Sequence, residues 1–582
     1  MENKEVGHVD SEKIDAFADE TVETTVQHVD TSVASGEAEV AHRPVTMTTI
    51  LAFVALCGQF NAYVMTLLIP STNLAYINAD LGPDPNYTWI TVSWQLGASV
   101  VVSVGGRLSD IFGRRYFMLT GACLGVVGCV VGATAQSINQ MIASGIIFGF
   151  ASGFQEMSYA AIQEILPNKY RMVGVGIFDA SLLLAYFSPL ISYAFIAYVS
   201  ISWRASYWYM FSFHTLMAVL LFFCYHPPDF KMKHRTDGKS KMQLLGELDY
   251  VGLFLFATAN TLMLLGINFG GGGKFPWKSA TVIAPIVVGF MCAVVLGFWE
   301  TRPGLKYPLL PPKLFKEVRG FVMVIVVCFV GGMLYYSMNV LWPRQSAQFF
   351  VPADDVIMRG LYSTIFSFGS FIGAFLMMFL APWLGKEKWQ MFGYMVIQTA
   401  FIASMASVGV NDKARAIILV LCTSPFVTVA QLLAFTMISL GIDDQNDIGI
   451  AVGLCSTFRL MGGAVATTVY SAILNNRFAS VLDGFVDDAA AQVGLAQSSW
   501  PALVEAAKVN TAAAYAKVPG MTKALEEAAR MAVKLSYVQA FKLVYLVAIG
   551  FGGAAIIAAS LTKNTDTSRK NDERAVVLKN EG

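Results

Sequence analysis

The stretch GRLSDIFGRR, residues 106–115, lies between two long apolar segments of the chain. Five of its residues form a predicted polar turn: Gly106, Asp110, Gly113, Arg114 and Arg115. Unpaired charge and open backbone are too costly to place in hydrocarbon, so this turn must lie at a membrane surface. The two flanking segments are therefore predicted to be membrane spans.

The composition of the chain agrees with a membrane protein. Of its 582 residues, 55% are hydrophobic and only 14% are charged, which is more apolar side chain than a soluble domain can bury. Lys+Arg and Asp+Glu number 40 each, so the net charge indicates no nucleic-acid partner. The chain is predicted to be polytopic, with the lipid bilayer as its main partner.

The sequence contains no recognisable set of catalytic or metal-binding residues. The 8 cysteines fall inside apolar runs without a CxxC pair, and the 6 histidines lie mostly in predicted tails and loops. Gly270 to Gly273 with Lys274 resemble a phosphate-binding loop, but Asn268 stands where the first glycine is required. We therefore expect no enzyme, no metal, no other cofactor and no nucleotide.

A helix needs about 20 apolar residues to cross the hydrocarbon core, and about fourteen runs of that length follow one another along the chain. They lie at about 48–70, 88–106, 116–135, 138–161, 172–199, 204–225, 250–269, 280–299, 320–342, 358–381, 389–408, 414–440, 446–474 and 538–561. The pattern predicts an all-α integral membrane protein with about 14 transmembrane helices.

The basic residues of the short loops give the predicted orientation. Loops on one side of the membrane hold about 17 Lys and Arg residues, and loops on the other side hold about 7. Because cytoplasmic loops carry the excess, both termini are predicted to be cytoplasmic. The turn at 441–447 disagrees, since it holds Asp443, Asp444 and Asp447 and no basic residue.

Two six-helix bundles plus two extra spans account for the number of spans and for two long linkers. GAFLMMFLAPWLGKEK, from Gly373, weakly repeats the segment that begins at Gly97 but lacks its acid and its arginine pair. The predicted units are a disordered cytoplasmic tail (1–45), an N-terminal six-helix bundle (46–226), a basic cytoplasmic loop (227–249), the extra helix pair (250–300), a cytoplasmic linker (301–319), the first five helices of the C-terminal bundle (320–475), an extracellular loop (476–536), the last helix (537–562) and a cytoplasmic tail (563–582). The loop at 476–536 is predicted to be either short surface helices or a plain linker.

Ionisable residues inside spans are costly, so each one is a candidate functional residue. Glu156 in the fourth span and Asp179 in the fifth are predicted to approach one another near the cytoplasmic side, because a short turn joins these spans. An apolar wall favours the neutral form of a carboxyl, which makes both acids candidates for carrying a proton. The alternative is that either acid only pairs with a base or caps a helix.

Polar side chains within spans are candidates for lining a central cavity, because they are unfavourable against lipid. The cavity candidates are Gln59, Asn61, Tyr63, Gln155, Tyr159 and Arg459. Hydrogen bonding between helices is an equally good interpretation of the uncharged ones. Arg459 is also compatible with a structural role as partner of the loop at 106–115.

Two further features are predicted to lie at the membrane surfaces. Glu164, Asn168, Lys169 and Arg171 follow the fourth span and are expected to form a solvated turn with an acid–base pair. Asn86 begins the sequon Asn-Tyr-Thr on the predicted outer side, which makes it a glycosylation candidate.

Residues 106–115 resemble the signature loop of the major facilitator superfamily, with a generic positive cytoplasmic turn as the alternative. Other stretches resemble the fourteen-span drug:proton antiporters of fungi, in particular the trichothecene efflux pump family: QEILPNKYR at 163–171, LDYVGLFLF at 248–256, GGGGKFPW at 270–277, YPLLPPKLF at 307–315, LYYSMNVLWPRQ at 334–345 and FRLMGGAVATTVYSAIL at 458–474. The resemblance implies a major facilitator fold whose two bundles rock around a central site. It also implies that Asp110, Arg114 and Arg115 stabilise the outward-facing state.

The sequence departs from the family pattern at three places. Ile111 stands where a basic residue often follows the acid, and Gly145 stands where an arginine is expected in the fourth span. The antiporter motif of the fifth span is reduced to Ser188 and Pro189. Proton antiport is therefore implied by the resemblance while its local sequence signatures are reduced.

The resemblance predicts a plasma-membrane transporter that exports a hydrophobic or amphipathic mycotoxin, drug or secondary metabolite, with the small molecule and protons as partners. A siderophore-iron:proton symporter is the alternative with the same fold. A solute-sensing transceptor is the alternative from another functional class. A vacuolar or other internal membrane stays open, because span length distinguishes membranes only loosely.

Overall fold

The structure is a computed structural model that describes residues 46–227, 241–271, 275–302, 305, 308–352, 355–442 and 448–565. The predicted tail at 1–45, most of the loop at 227–249, the acidic residues at 443–447 and most of the tail at 563–582 lie outside the described residues. The described part is almost entirely helical, as expected for a chain that must satisfy its backbone polar groups within lipid.

The first bundle contains the helices that precede the basic loop. They are α1 Met47–Leu81, α2 Trp89–Phe112, α3 Arg114–Ala133, α4 Ile138–Gln155, α5 Met157–Ile165, α6 Arg171–Ala180, α7 Leu183–Tyr186, α8 Ser188–Tyr198 and α9 Arg204–Cys224. Short 3-10 helices at Pro85–Thr88 and Asn168–Tyr170 connect α1 to α2 and α5 to α6.

The extra helix pair and the second bundle follow. Their helices are α10 Lys241–Gly246, α11 Tyr250–Gly271, α12 Ala280–Glu300, α13 Pro312–Lys316, α14 Met323–Phe349, α15 Val356–Phe375, α16 Ala381–Leu384, α17 Glu387–Met405, α18 Lys413–Gly441, α19 Ile448–Val493, α20 Trp500–Val509, α21 Ala512–Tyr515 and α22 Lys523–Leu561. Segments of π-helix at Val318–Val322 and Leu376–Leu380 lead into α14 and α16. The extra pair, α11 and α12, packs together closely.

Among the described residues, eleven helical segments are long and apolar enough to cross a membrane. The predicted spans at 88–106, 138–161 and 389–408 coincide with helices that are not among these eleven. The helices α2 and α17 are rich in polar residues, and a turn at Glu156 separates α4 from α5. The described part of this membrane protein is thus helical, with about eleven candidate spans.

The signature loop at 106–115 and its weak repeat share one backbone feature. Gly113, between α2 and α3, has a φ of +95°, and Gly385, between α16 and α17, has a φ of +57°. Both values lie in the left-handed region, which favours glycine over residues with a side chain. The second bundle therefore keeps the turn although it has lost the acid and the arginine pair.

The two bundles meet along two seams. Helix α2 packs against α19 along the first seam, and α6 and α8 pack against α15 along the second. The extra helix α11 contacts both α2 and α19, so it covers the first seam. One cluster of buried apolar residues runs through both bundles.

The segment 476–536, which we name the helical extension, is folded into helices. The helices α19, with 46 residues, and α22, with 39, both continue far beyond the length of a membrane span. They pass through the predicted boundaries at 475/476 and 536/537 without interruption. Together with α20 and α21 they enclose a separate apolar core: Leu482, Val486, Ala489, Ala490, Leu503, Ala506, Ala507, Tyr515, Val518, Leu525, Ala529, Ala532 and Val533. Burial raises the pKa of Tyr515 to about 12.

Candidate functional site

A small cavity lies between the two bundles. The first bundle lines it with Phe60, Tyr63, Val64, Leu67, Tyr159, Asp179 and Leu182, and the second with Tyr335, Tyr336, Thr428, Gln431, Leu432, Phe435 and Arg459. The lining is mostly aromatic and aliphatic with a few polar groups, which is the usual character of a small-molecule site.

The volume of this cavity is small compared with that of a ligand-binding site. Its space of about 20 Å³ holds about one water molecule. Drug-sized ligands occupy sites of about 300–1,000 Å³. The cavity in this structure is therefore too small for a drug-sized molecule, and the helices around it would have to separate before one could enter.

An ion pair joins the two bundles beside this cavity. Arg459 Nη1 on α19 lies 3.4 Å from Glu156 Oε1, at the turn between α4 and α5. Both side chains are buried, with exposed fractions of 9% and 0%. Removing one partner of a buried pair leaves an uncompensated charge, which costs about 3–5 kcal/mol. The ion pair therefore links the position of α19 to that of the first bundle.

Three aromatic rings surround the guanidinium group of Arg459. Its central carbon lies 5.4 Å from the ring centroids of Tyr335 and Tyr336 and 5.8 Å from that of Phe435. A cation at such distances is attracted by the ring quadrupole. The hydroxyl of Tyr336 also hydrogen-bonds to that of Tyr63 in the first bundle, at 2.8 Å. The rings thus hold the cation at the seam without neutralising it.

Asp179 is the second acid at this cavity, and it is 5% exposed. It lines the same cavity as Arg459. The two predicted acids are therefore brought to one place, but they gather around Arg459 at the cavity. Two carboxyls and one guanidinium leave one negative charge unbalanced unless the site also holds a proton.

The structure divides the predicted cavity residues into two groups. Those in the lining are Tyr63, Tyr159 and Arg459. Gln59, Asn61 and Gln155 point instead to neighbouring helices: Asn61 Nδ2 donates to the Ser181 carbonyl at 3.1 Å, and Gln155 Nε2 donates to Gln59 Oε1 at 3.3 Å. The contacts of these three residues match the interpretation of hydrogen bonding between helices.

Arg114 of the signature loop is buried in a salt bridge with Glu164 near the end of α5. The pair lies against Gly449 at the start of α19, where an added Cβ would stand 3.3 Å from Glu164 Oε1. A glycine at this position lets the backbone of the second bundle approach the pair. The signature loop therefore meets the second bundle at this end of the molecule, which we call the signature end.

Arg171 makes another contact between the bundles. Its Nη1 donates to the Ser439 carbonyl on α18 at 3.1 Å, and its side chain is fully buried. The prediction of a solvated turn is therefore wrong for Glu164, Asn168 and Arg171, which are all buried, while Lys169 is exposed. The reason is that the second bundle packs over this turn.

The other residues of the signature loop belong to the first bundle. Arg115 donates to the Phe222 carbonyl on α9, and its guanidinium lies 5.1 Å from the Phe222 ring. Gly106 and Asp110 lie on α2, and the Asp110 side chain is outside the described part of the structure.

Close packing at Gly145 explains why the fourth span lacks the arginine that the family pattern predicts there. Helix α4 lies so close to α2 that an added Cβ at Gly145 would stand 2.6 Å from the Ser93 hydroxyl oxygen. A long basic side chain has no room there. The buried cation of the site comes instead from Arg459 in the second bundle.

The remaining features of the structure concern glycosylation and metal binding. Asn86 of the sequon lies in the 3-10 turn Pro85–Thr88 and is half-buried. Within the described ranges, no group of three or more His, Cys, Asp or Glu side chains is arranged to hold a metal ion.

Several residues of the site were not among the sequence candidates. Tyr335 and Tyr336 are adjacent in the segment LYYSMN. Two hydroxyl groups within one span could have identified both residues as candidates for a polar contact. Glu164 and Arg171 flank Pro167 at a span end, where charges are ordinarily solvated. Phe435 has no local signal, because a phenylalanine in an apolar span is ordinary.

Comparison with known proteins shows that nearly the whole chain is similar to one family of proteins. Residues 19–573 match the model of the family described as fungal trichothecene efflux pump (TRI12). The trichothecene efflux pump TRI12 of Fusarium sporotrichioides is 29% identical over 521 residues, covering 89% of this chain and 86% of that protein. The MFS-type transporter prx5 of Penicillium rubens is 28% identical over 574 residues, covering 97% of this chain and 98% of that protein.

Solved structures share the fold at low sequence identity. An auto-inhibited peptide transporter of the POT family has a TM-score of 0.50 and 14% identity, covering 87% of this chain and 96% of that one. The proton:xylose symporter XylE, a major facilitator superfamily protein, has a TM-score of 0.49 and 14% identity, covering 75% of this chain and 88% of that one. The likeness to the peptide transporter supports an all-helical membrane transporter fold for the described part of the chain.

Proposed function

The chain belongs to the fungal trichothecene efflux pump family, and we propose that it exports an amphipathic fungal toxin or related metabolite in exchange for protons. It is a multi-pass membrane transporter. The observation that carries the proposal is the Glu156–Arg459 ion pair, which joins the two bundles beside the cavity.

The chemistry of the cavity supports an amphipathic substrate. Aromatic rings from both bundles provide apolar contact surface. The hydroxyl oxygens of Tyr159 and Thr428 are buried at the cavity, and neither has a hydrogen-bond partner in the described structure. A buried hydroxyl without a partner costs about 1–3 kcal/mol, so a compact apolar molecule that carries oxygen atoms is favoured here.

Proton coupling follows from the placement of the ion pair. When Glu156 is ionised and the cavity is empty, the pair holds α19 against the first bundle. Protonation of Glu156 removes the attraction, and a bound substrate that contacts Arg459 weakens it. If the pair raises the barrier for movement of the empty transporter by about 3 kcal/mol, that movement slows by about 100-fold. Either a proton or a substrate then releases the bundles, which produces exchange.

Asp179 is the second proposed proton carrier. It lines the cavity together with Arg459, the ion-pair partner of Glu156. A substrate in the cavity would lie closest to this acid, so Asp179 would sense occupancy while Glu156 holds the seam. Two further polar lining residues, Tyr63 and Tyr159, would contact the substrate.

The signature end is the proposed cytoplasmic gate. The Arg114–Glu164 pair against Gly449 and the hydrogen bond from Arg171 to Ser439 close the seam at this end. These contacts would stabilise the outward-facing state, in which the opposite end opens. The rest of the proposed gating loop consists of Gly106, Asp110, Gly113 and Arg115.

The membrane arrangement is part of the same proposal. We propose fourteen spans, with α2, α4–α5 and α17 completing the eleven apolar ones. Both termini would be cytoplasmic, the helical extension would be extracellular, and Asn86 would be a glycosylation candidate on that side. The proposed location is the plasma membrane.

The test uses purified protein in liposomes with an imposed pH gradient. We expect a radiolabelled trichothecene to move against the direction of proton flow, and an uncoupler to abolish its accumulation. Glu156→Gln and Asp179→Asn are compared with Glu505→Gln, which changes an exposed acid of the helical extension whose side chain is 72% exposed. At least one of the first two should lose its response to the gradient, while the control keeps it.

Two outcomes would refute the proposal. Unchanged gradient-driven flux in both Glu156→Gln and Asp179→Asn would remove these acids as proton carriers. A ferric siderophore tested in parallel gives the second outcome: its saturable uptake along the proton gradient, with no toxin movement, would establish the symporter alternative.

A further inference from the structure

A polar network lies inside the first bundle, next to the turn that carries Glu156. Helix α4 ends at Gln155, and α5 begins at Met157. Successive residues on a helix point about 100° apart, so Gln155 and Glu156 leave this turn in different directions. A contact that fixes Gln155 therefore also fixes the direction of Glu156.

Two other helices hold the Gln155 side chain. Its Nε2 donates to Gln59 Oε1 on α1 at 3.3 Å, and it lies 3.3 Å from His214 Nδ1 on α9. Gln59 Nε2 donates in turn to the Met217 carbonyl at 2.8 Å. Gln59, Gln155 and His214 are all fully buried. The network thus connects the turn to α1 and α9 through three side chains that are shielded from water.

The bundle leaves a fitted space for the imidazole of His214. Gly125 on α3 faces the ring, and an added Cβ at this glycine would stand 2.5 Å from Nδ1 and 2.7 Å from Cε1. Any larger residue at position 125 would displace the ring. A third helix therefore shapes the network.

The donor and the acceptor of each hydrogen bond in the network follow from the neighbouring bond. The Gln59 amide nitrogen is occupied by the Met217 carbonyl, so Gln59 presents its oxygen to Gln155. Gln155 must then present its amide nitrogen, and His214 Nδ1 must accept from it. A neutral imidazole with its proton on Nε2 satisfies this arrangement.

We propose that His214, acting through Gln155, is a positioning residue that directs Glu156 toward Arg459. The inference rests on the proposed proton coupling through Glu156. The regular helix changes at residue 156, where the Glu156 N–H still donates to the Ser152 carbonyl at 2.9 Å, and the side-chain contacts of Gln155 add to this backbone bond in holding the turn. The Glu156–Arg459 distance of 3.4 Å leaves little tolerance, because a small rotation of the turn would separate the two groups.

The experiment measures the state of the Glu156 carboxyl directly. Carbodiimide labels protonated carboxyl groups in membranes, and mass spectrometry of the peptide that contains Glu156 gives the labelled fraction. A buried carboxylate that loses its arginine is less stable in the charged form. In His214→Leu and in Gln155→Leu we expect the labelled fraction at neutral pH to rise by about three-fold or more, and the pH profile of transport to shift with it.

Two matched variants serve as controls. His214→Gln can still accept a hydrogen bond from Gln155, so it should restore labelling toward the wild-type value. Tyr545→Phe removes a buried hydrogen bond of 2.6 Å to Gln345 in the second bundle, and it should leave Glu156 labelling unchanged. If His214→Leu does not fold, Gln59→Leu removes the other anchor of Gln155 and provides the same measurement.

The outcomes separate this inference from the proposed function. Wild-type labelling in the folded leucine variants would overturn the positioning role, and so would an equal rise in Tyr545→Phe. If Glu156→Gln loses gradient-driven transport while labelling in the leucine variants is unchanged, only the positioning role fails. If the leucine variants raise labelling while Glu156→Gln transports normally, proton carriage by Glu156 fails and the positioning role stands.

Discussion

Replacing Gly449 with alanine is expected to open the seam at the signature end. The added methyl group would occupy the space of the Arg114 guanidinium and stand 3.3 Å from Glu164 Oε1. Both side chains are buried in their salt bridge, with exposed fractions of 7% and 6%. The guanidinium cannot move aside without leaving its carboxylate, so α19 must move away from α5.

The magnitude follows from the cost of overpacking. An extra methyl group in a tightly packed contact costs about 1–3 kcal/mol. This cost applies only to the conformation in which α19 touches the signature loop. The equilibrium between the closed and open signature end should therefore shift by about 5- to 150-fold toward the open form.

Hydrogen–deuterium exchange of the purified protein measures this shift. Peptides from α5, from the turn at 166–171 and from the start of α19 should exchange faster in Gly449→Ala. The matched control is Gly393→Ala on α17, where an added Cβ meets open space. Wild-type exchange in Gly449→Ala would refute the reasoning, and so would equal acceleration in the control.

Three further predictions concern other parts of the structure. Arg459→Lys keeps the charge but loses the planar group between Tyr335 and Tyr336, so gradient-driven transport in liposomes should fall by about ten-fold at normal expression. Gly145→Arg places a long cation against α2 and should destabilise the protein by about 3 kcal/mol or more, visible as a lower melting temperature or a loss of monodisperse protein. Leu503→Ala should cost about 2–5 kcal/mol within the helical extension and accelerate its hydrogen exchange, whereas Val509→Ala, at a residue 63% exposed, should not; transport equal to wild type would separate the extension from the cavity.

Eleven of the fourteen predicted spans coincide with described helices that are long and apolar enough to cross a membrane, because apolar length is a local property. Contacts between helices are not local. Gln155 and Glu156 are adjacent and polar, yet one faces α1 and α9 while the other faces the second bundle. Cavity lining and helix-to-helix hydrogen bonding use the same residue types. Only the assembled helices show that Tyr63 lines the cavity, whereas Gln59 bonds to a neighbouring helix.

The burial of the turn after α5 illustrates the same limit. Charges beside Pro167 are typical of a solvated span end, but Arg171 meets Ser439 across 268 residues of sequence. No local pattern encodes that contact. The helical extension is a different case: its alanine content favours helix, whereas the continuity of α19 and α22 depends on the core they share.

The length of α19 offers a way to observe transport from a distance. This single helix contacts the signature loop at Gly449, carries Arg459 at the cavity and contributes Leu482 to the extension. At 1.5 Å per residue, Leu482 lies about 35 Å along the axis from Arg459. A tilt of about 10° would move that end by roughly 6 Å. Spin labels or fluorophores attached near Leu482 would report the movement of the bundles from outside the cavity.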